Sequence, residues 1–225
     1  MNHERRALIL VALGLAVVLG TLLVGAVTAP SWSTVADGNR STLVGSQSVG
    51  GGWQEGGSVF TMRDADVTWQ VQRTDNVFEV SHLADDRILV SFETGGYETG
   101  CEPYDPPCAK TGFRVLEPDG TDDAEILTEY AYPIRNADSS ENHGVDRIGE
   151  SAFVVADMEH ERVFTVENGT VTWQWNASEL YTPPADPTRH DWLHINDVDA
   201  INDTHYLVSV RNAHQIVVLE RGTGV

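Results

Sequence analysis

Apolar and polar residues alternate in short runs along most of this chain, and Gly, Asn, Asp or Pro breaks each run. That period of two describes half-buried β-strands joined by tight turns. The clearest case lies near the C-terminal end. Asp191-Trp192-Leu193-His194-Ile195-Asn196-Asp197-Val198-Asp199 and Tyr206-Leu207-Val208-Ser209-Val210-Arg211-Asn212 flank the turn-forming Asn202-Asp203-Thr204, which predicts a β-hairpin. A pivot at Asp203 sets Ile195 opposite Arg211 and leaves His194 and Arg211 on one rim.

The pattern repeats. Val59 to Val71 and Val163 to Trp175 align at a constant offset of 104, with seven of thirteen positions identical. His143 to Ile148 with Phe153 to Ala156 aligns with Asn196 to Ile201 and Tyr206 to Ser209 at an offset of 53. A looser copy runs through Val80 to Leu83, Ile88 to Ser91, Phe113 to Leu116 and Ile126 to Tyr130. Units of four short strands separated by turn residues predict an all-β chain built as a β-propeller. The units span about 77–131, 142–176 and 195–225 after a partial one at 59–71. Trp69 and Trp173 hold equal positions, as residues that pack one sheet on the next would.

In a propeller blade the start of the first strand and the end of the second share one face, so His194 and Arg211 meet there. His143, at the start of its own unit's first strand, reaches the same mouth. An imidazole, the Asn196 carboxamide and a guanidinium make a cradle for a tetrahedral oxyanion, with Arg supplying forked donors and fixed charge. The competing reading has His194 and Arg211 as edge residues paired with nearby carboxylates. His82, His160, His205 and His214 lack the placement and are read as structural or surface residues.

Charge narrows the partners. Asp and Glu number 34 against 14 Lys and Arg, a formal net charge of −20, which repels nucleic acid and suits a hydrated surface working in high salt. Residues 7–29 carry no charge and follow Arg5 and Arg6. They are long enough to span a bilayer, and the two arginines keep the N-terminus cytoplasmic. A signal peptide cleaved after Ala29 is the alternative. The expected layout is an anchor at 1–30, a Gly/Ser-rich tether at 31–57 and a partial propeller at 58–225, on a single-pass membrane protein with its bulk extracellular. Four Asn-x-Ser/Thr acceptor patterns and a local Cys101–Cys108 disulfide agree with export, and no metal site is expected.

Asp191-Trp192-Leu193-His194-Ile195-Asn196 followed one hairpin later by Ser209-Val210-Arg211 resembles the arylsulfate sulfotransferases of the quinone-independent propeller type. The resemblance implies transfer of a sulfuryl group between phenols through a histidine, without a cofactor, with aryl sulfates and phenols as partners. It assigns His194, Asn196 and Arg211 to the sulfuryl oxygens, beside Asp191 and Trp192, and brings His143 into the same pocket. Members of that family are about twice as long, with about six blades, and the resemblance puts their sulfuryl-accepting histidine in a blade beyond the last one here. That departure leaves three alternatives: a truncated relative, a ring closed by self-association, or chemistry taken over by His194 or His143. A non-catalytic propeller scaffold is the reading from a different class.

Overall fold

The computed structural model describes Gly14, Leu15, Val18 and residues 40–47, 57–72, 76–135, 140–187, 189 and 191–225. The chain divides into a unit at Met1–Asp37 and a unit at Gly38–Val225. The second unit is all-β, with four antiparallel sheets in chain order. Sheet I holds β1 (Thr42–Ser46), β2 (Ser58–Arg63) and β3 (Asp66–Gln72), and sheet II holds β4 (Asn76–His82), β5 (Ile88–Tyr97), β6 (Cys108–Pro118) and β7 (Ala124–Ile134). Sheet III holds β8 (Gly144–Gly149), β9 (Ala152–Asp157), β10 (Arg162–Glu167) and β11 (Thr170–Asn176), and sheet IV holds β12 (Ile195–Ala200), β13 (His205–Val210) and β14 (Gln215–Glu220). Within each sheet every strand pairs with its neighbour in sequence.

The alternating pattern works because sheets II and III bury both faces against their neighbours. In sheet III, Val145, Phe153, Val155, Phe164 and Val166 face sheet II, while Val154, Ala156, Val163 and Trp175 face sheet IV. Val59 and Val71 of sheet I meet Val77, Ile88 and Val90 of sheet II in the same manner. Trp173 lies against the Tyr206 ring at 5.7 Å, joining sheet III to sheet IV.

Three expectations are corrected. Sheet IV has three strands among the described residues rather than four. The stretch read as a tether contains β1, whose Thr42 to Ser46 pair with Met62 to Ser58. Its Ser and Gly content hid a strand that Ser46 Oγ secures at 2.9 Å from Ser58 Oγ. The single-pass membrane placement is not supported either, since among the described residues no helix is long and apolar enough to cross a membrane. Most of residues 7–29 lies outside the described residues.

Cys101 and Cys108 form a disulfide. The loop it closes is fastened to sheet III, because the Tyr104 hydroxyl donates to Glu159. A short closed loop restricts the unfolded chain modestly. Replacing both cysteines by serine is expected to cost about 2–3 kcal/mol by urea unfolding.

Candidate functional site

The site is built on one turn. Between β9 and β10 the chain reverses through residues 158–161, and the buried Asp157 pins that turn from below. Asp157 Oδ2 accepts from Arg162 Nε at 2.6 Å and pairs with His160 Nδ1 at 3.0 Å, while Oδ1 accepts from the His160 amide. Burial alone would raise the Asp157 pKa, but His160 and then Arg162 hold it below the usual carboxylate range.

The turn carries two more buried carboxylates. Glu159 accepts from Tyr104 of the disulfide loop and from the Arg135 amide. Glu161 accepts from three successive amides, Leu193 at 2.8 Å, His194 at 2.8 Å and Ile195 at 3.1 Å. Those bonds hold the entry to β12. His194 sits there with φ of +55°, a left-handed backbone that costs a non-glycine residue on the order of 1 kcal/mol and needs surroundings that enforce it.

The hairpin sets the partner across the rim. Ile195 pairs with Val210 and not with Arg211, because Asn196 occupies a bulge between Ile195 and Asp197. The Arg211 amide then donates to the His194 carbonyl at 3.1 Å, and the Asn212 amide to the Leu193 carbonyl. His194 and Arg211 are therefore direct cross-strand neighbours. Asn196 is half-buried at the bulge.

One oxygen joins the side chains. Asp191 Oδ2 lies 2.6 Å from His194 Nδ1 and 3.0 Å from Arg211 Nη2. The carboxylate fixes the imidazole with Nδ1 as the donor and leaves Nε2 with its lone pair. His194 is only 6% exposed, and its Nε2 is buried without a hydrogen-bond partner among the described residues. Asp191 Oδ1 and Trp192 Nε1 are buried and unpartnered as well. Three such atoms on Asp191, Trp192 and His194 are costly in an apolar interior and mark a place where a polar ligand would be held.

His143 comes from the neighbouring sheet. Asn142 donates from Nδ2 to the Gly112 carbonyl at 3.1 Å and from its amide to Thr111 Oγ1 at 2.7 Å, fixing the chain just before β8. Gly144 follows, and a Cβ there would lie 2.6 Å from the Val198 nitrogen. The bare backbone lets β8 meet β12 closely, which brings the His143 and His194 rings to 5.1 Å. Burial, then His194 and Arg211, lowers the His143 pKa to about 4, so the ring is neutral at neutral pH. Phe78 contacts the His143 ring edge-on at 4.9 Å.

The structure thus gathers His143, Asp191, His194 and Arg211 and places Trp192 and Asn196 beside them. The pairing of both basic groups with a nearby carboxylate is present too. Sequence reasoning missed Glu161, which sits in a turn with no motif of its own. No protein-family model matches this chain, and no curated protein matches it.

Glu161 generates a pH dependence. Burial raises its pKa to about 7 from the usual 4.5, against the pull of the three amides and with the help of the Asp191 charge. The folded chain holds this proton more tightly than the unfolded chain does. Stability is therefore expected to fall as pH rises from about 4.5 to about 7, by on the order of 2–3 kcal/mol from this group. Glu161→Gln should flatten that segment of a urea-unfolding pH profile while costing about 1–3 kcal/mol at pH 5. A profile unchanged by the substitution would remove Glu161 from this role.

Proposed function

We propose that the four sheets are successive blades of a β-propeller and that the His143, His194 and Arg211 rim binds an aryl sulfate ester, passing its sulfuryl group to a phenol through His194. The blade reading is supported by meandering sheets stacked in chain order, with the first strands β8 and β12 side by side. One observation carries the chemistry: His194 Nε2 is buried and unpartnered while Nδ1 is locked on Asp191.

That arrangement suits a nucleophile held in one tautomer by a carboxylate. The Nε2 lone pair attacks sulfur, an N–S bond forms, and the S–O bond to the aryl group breaks with the phenolate leaving. In the return step the oxygen of an acceptor phenol attacks sulfur, the N–S bond breaks, the acceptor loses its proton to solvent and His194 is restored. Arg211 faces the sulfuryl oxygens with fixed charge, and neutral His143 contributes a ring N–H without repelling Arg211. Trp192 supplies an indole N–H and an apolar surface for the aryl ring.

A second reading, a non-catalytic binding module, is favoured by the burial of Nε2. A donor reaches that buried atom only if the residues around it shift. Binding and turnover therefore need separate tests.

Phenyl sulfate is expected to raise the thermal unfolding midpoint of the chain, and Arg211→Ala to abolish that protection. Loss of one charge-assisted contact to the anion costs about 2–3 kcal/mol, which weakens binding by tens to hundreds of fold. Transfer from 4-nitrophenyl sulfate to phenol is expected to be slow and to vanish in His194→Ala. Turnover that survives His194→Ala would place the chemistry elsewhere, and protection without turnover would select the binding module.

A further inference from the structure

Sheets I, II and III share a bulge between their last two strands. In sheet I the pair just before the register shift is Thr61 with Trp69, and in sheet III it is Thr165 with Trp173. Both tryptophans pack on the sheet that follows in the chain. Trp173 lies against the Tyr206 ring of sheet IV at 5.7 Å, while Trp69 joins the apolar cluster between sheets I and II and donates from Nε1 to the Asp123 carbonyl at 3.3 Å.

Sheet II breaks the pattern. The pair before its register shift is Val115 with Thr128, so a small, exposed side chain stands where the two flanking sheets carry an indole. A cleft opens at that point. It has a volume of about 460 Å³, lies between β7 and sheet III, and is lined by Phe113, Thr128, Tyr130, Phe153, Asn168 and Gly169 among others.

The two features that an indole meets at the other junctions both border this cleft. Phe153 is the 53-residue counterpart of Tyr206, the ring beneath Trp173. Asn168 and Gly169 form the turn before the last strand of sheet III, and Asp123, whose carbonyl receives the Trp69 N–H, immediately precedes the last strand of sheet II.

We propose that this cleft binds a small, uncharged, planar aromatic molecule of indole size that carries an N–H donor, seated on Phe153 in the place that Trp69 and Trp173 fill at the flanking junctions. The volume is within the range of small-molecule sites. Phe113 backs the Phe153 ring at 4.5 Å and stacks on Tyr130 at 5.8 Å, an aromatic floor suited to a further ring laid flat or edge-on. Charge selects a neutral ligand. Glu129 in the cleft wall is paired with Arg114 Nε at 2.6 Å, so its charge is met within the protein, and the net −20 opposes an anion. The cleft is at the end of sheet III away from the His194 rim, since β9 begins beside it at Ala152 and reaches the rim turn only after Asp157. It therefore rests on none of the sulfuryl chemistry.

Titration calorimetry of the full chain with indole tests this. Saturable binding is expected, with 1-methylindole, which lacks the N–H, weaker by about three- to tenfold. Thr128→Trp puts the chain's own indole into the cleft, and is expected to raise the thermal midpoint as a cavity-filling change and to abolish indole binding. Thr128→Ser should bind indole as the parent does. A second measurement needs no variant: indole should shift the amide resonances of Thr128 and Gly169 in the parent. No saturable binding, shifts confined to the residues of the His194 rim, or binding undiminished in a folded Thr128→Trp chain overturns the site. Equal affinity for 1-methylindole overturns the role of the donor.

Discussion

Everything at the rim depends on a carboxylate accepting three consecutive amide hydrogens. Glu161 takes the N–H groups of Leu193, His194 and Ile195, and that cradle holds His194 in a left-handed backbone that its side chain would not choose. The cradle is rigid because its own turn is rigid. Asp157, fully buried and bound by Arg162 and His160, fastens the base of the turn, and Glu159 ties its tip to Tyr104 and to the amide of Arg135. The disulfide loop, the end of β7 and the start of β12 thus converge on five residues of sheet III. A carboxylate buried this way is costly, and the offset comes from amides that would otherwise be left without partners.

Adjacent sheets are joined at their first strands by the same device. Glu79 of β4 accepts from the Val145 amide of β8 at 2.7 Å, and Asp146 of β8 accepts from the Ala200 amide of β12 at 2.9 Å. Burial raises Glu79 to about 7, and Asp197, Asp146 and Asp199 add to the rise. Gly144 is the exception that makes the site, because the missing side chain admits β12 closely enough for two histidines from different sheets to lie ring against ring.

How much of this was legible in the sequence follows from which residues face the core. Period-two alternation showed the strands of sheets II, III and IV, because at least one face of each sheet is packed by a neighbour and tolerates little else. The offsets of 104 and 53 showed the repeat, and the hairpin brought His194 to Arg211. Its register was off by one, since the bulge at Asn196 depends on backbone geometry that no residue type announces. Strand β1 escaped notice because Gly45 leaves room for Val77 and Val80 where a side chain was expected. Glu161 escaped because a turn acid has no periodicity, and its three partners lie more than thirty residues away.

An anion site of the proposed kind on so acidic a chain would obey a particular balance. The long-range field of −20 opposes the approach of any sulfate ester, but that field decays over about 8–10 Å at moderate salt. Within contact distance the local groups decide. Arg211 faces the rim with its charge partly committed to Asp191 at 3.0 Å, and His143 is neutral, so the site offers an arriving anion less positive charge than its residue types suggest. Asp191 is the regulator of that balance. It takes His194 Nδ1 as its partner and pairs with Arg211, and under the proposed function a ligand would compete for the guanidinium. A sulfuryl group that displaced Arg211 from Asp191 would leave the carboxylate to His194 alone, strengthening the bond that orients the imidazole and stabilising positive charge on the ring as the N–S bond forms. Under the proposed function, binding and activation at this rim would be linked through one carboxylate oxygen.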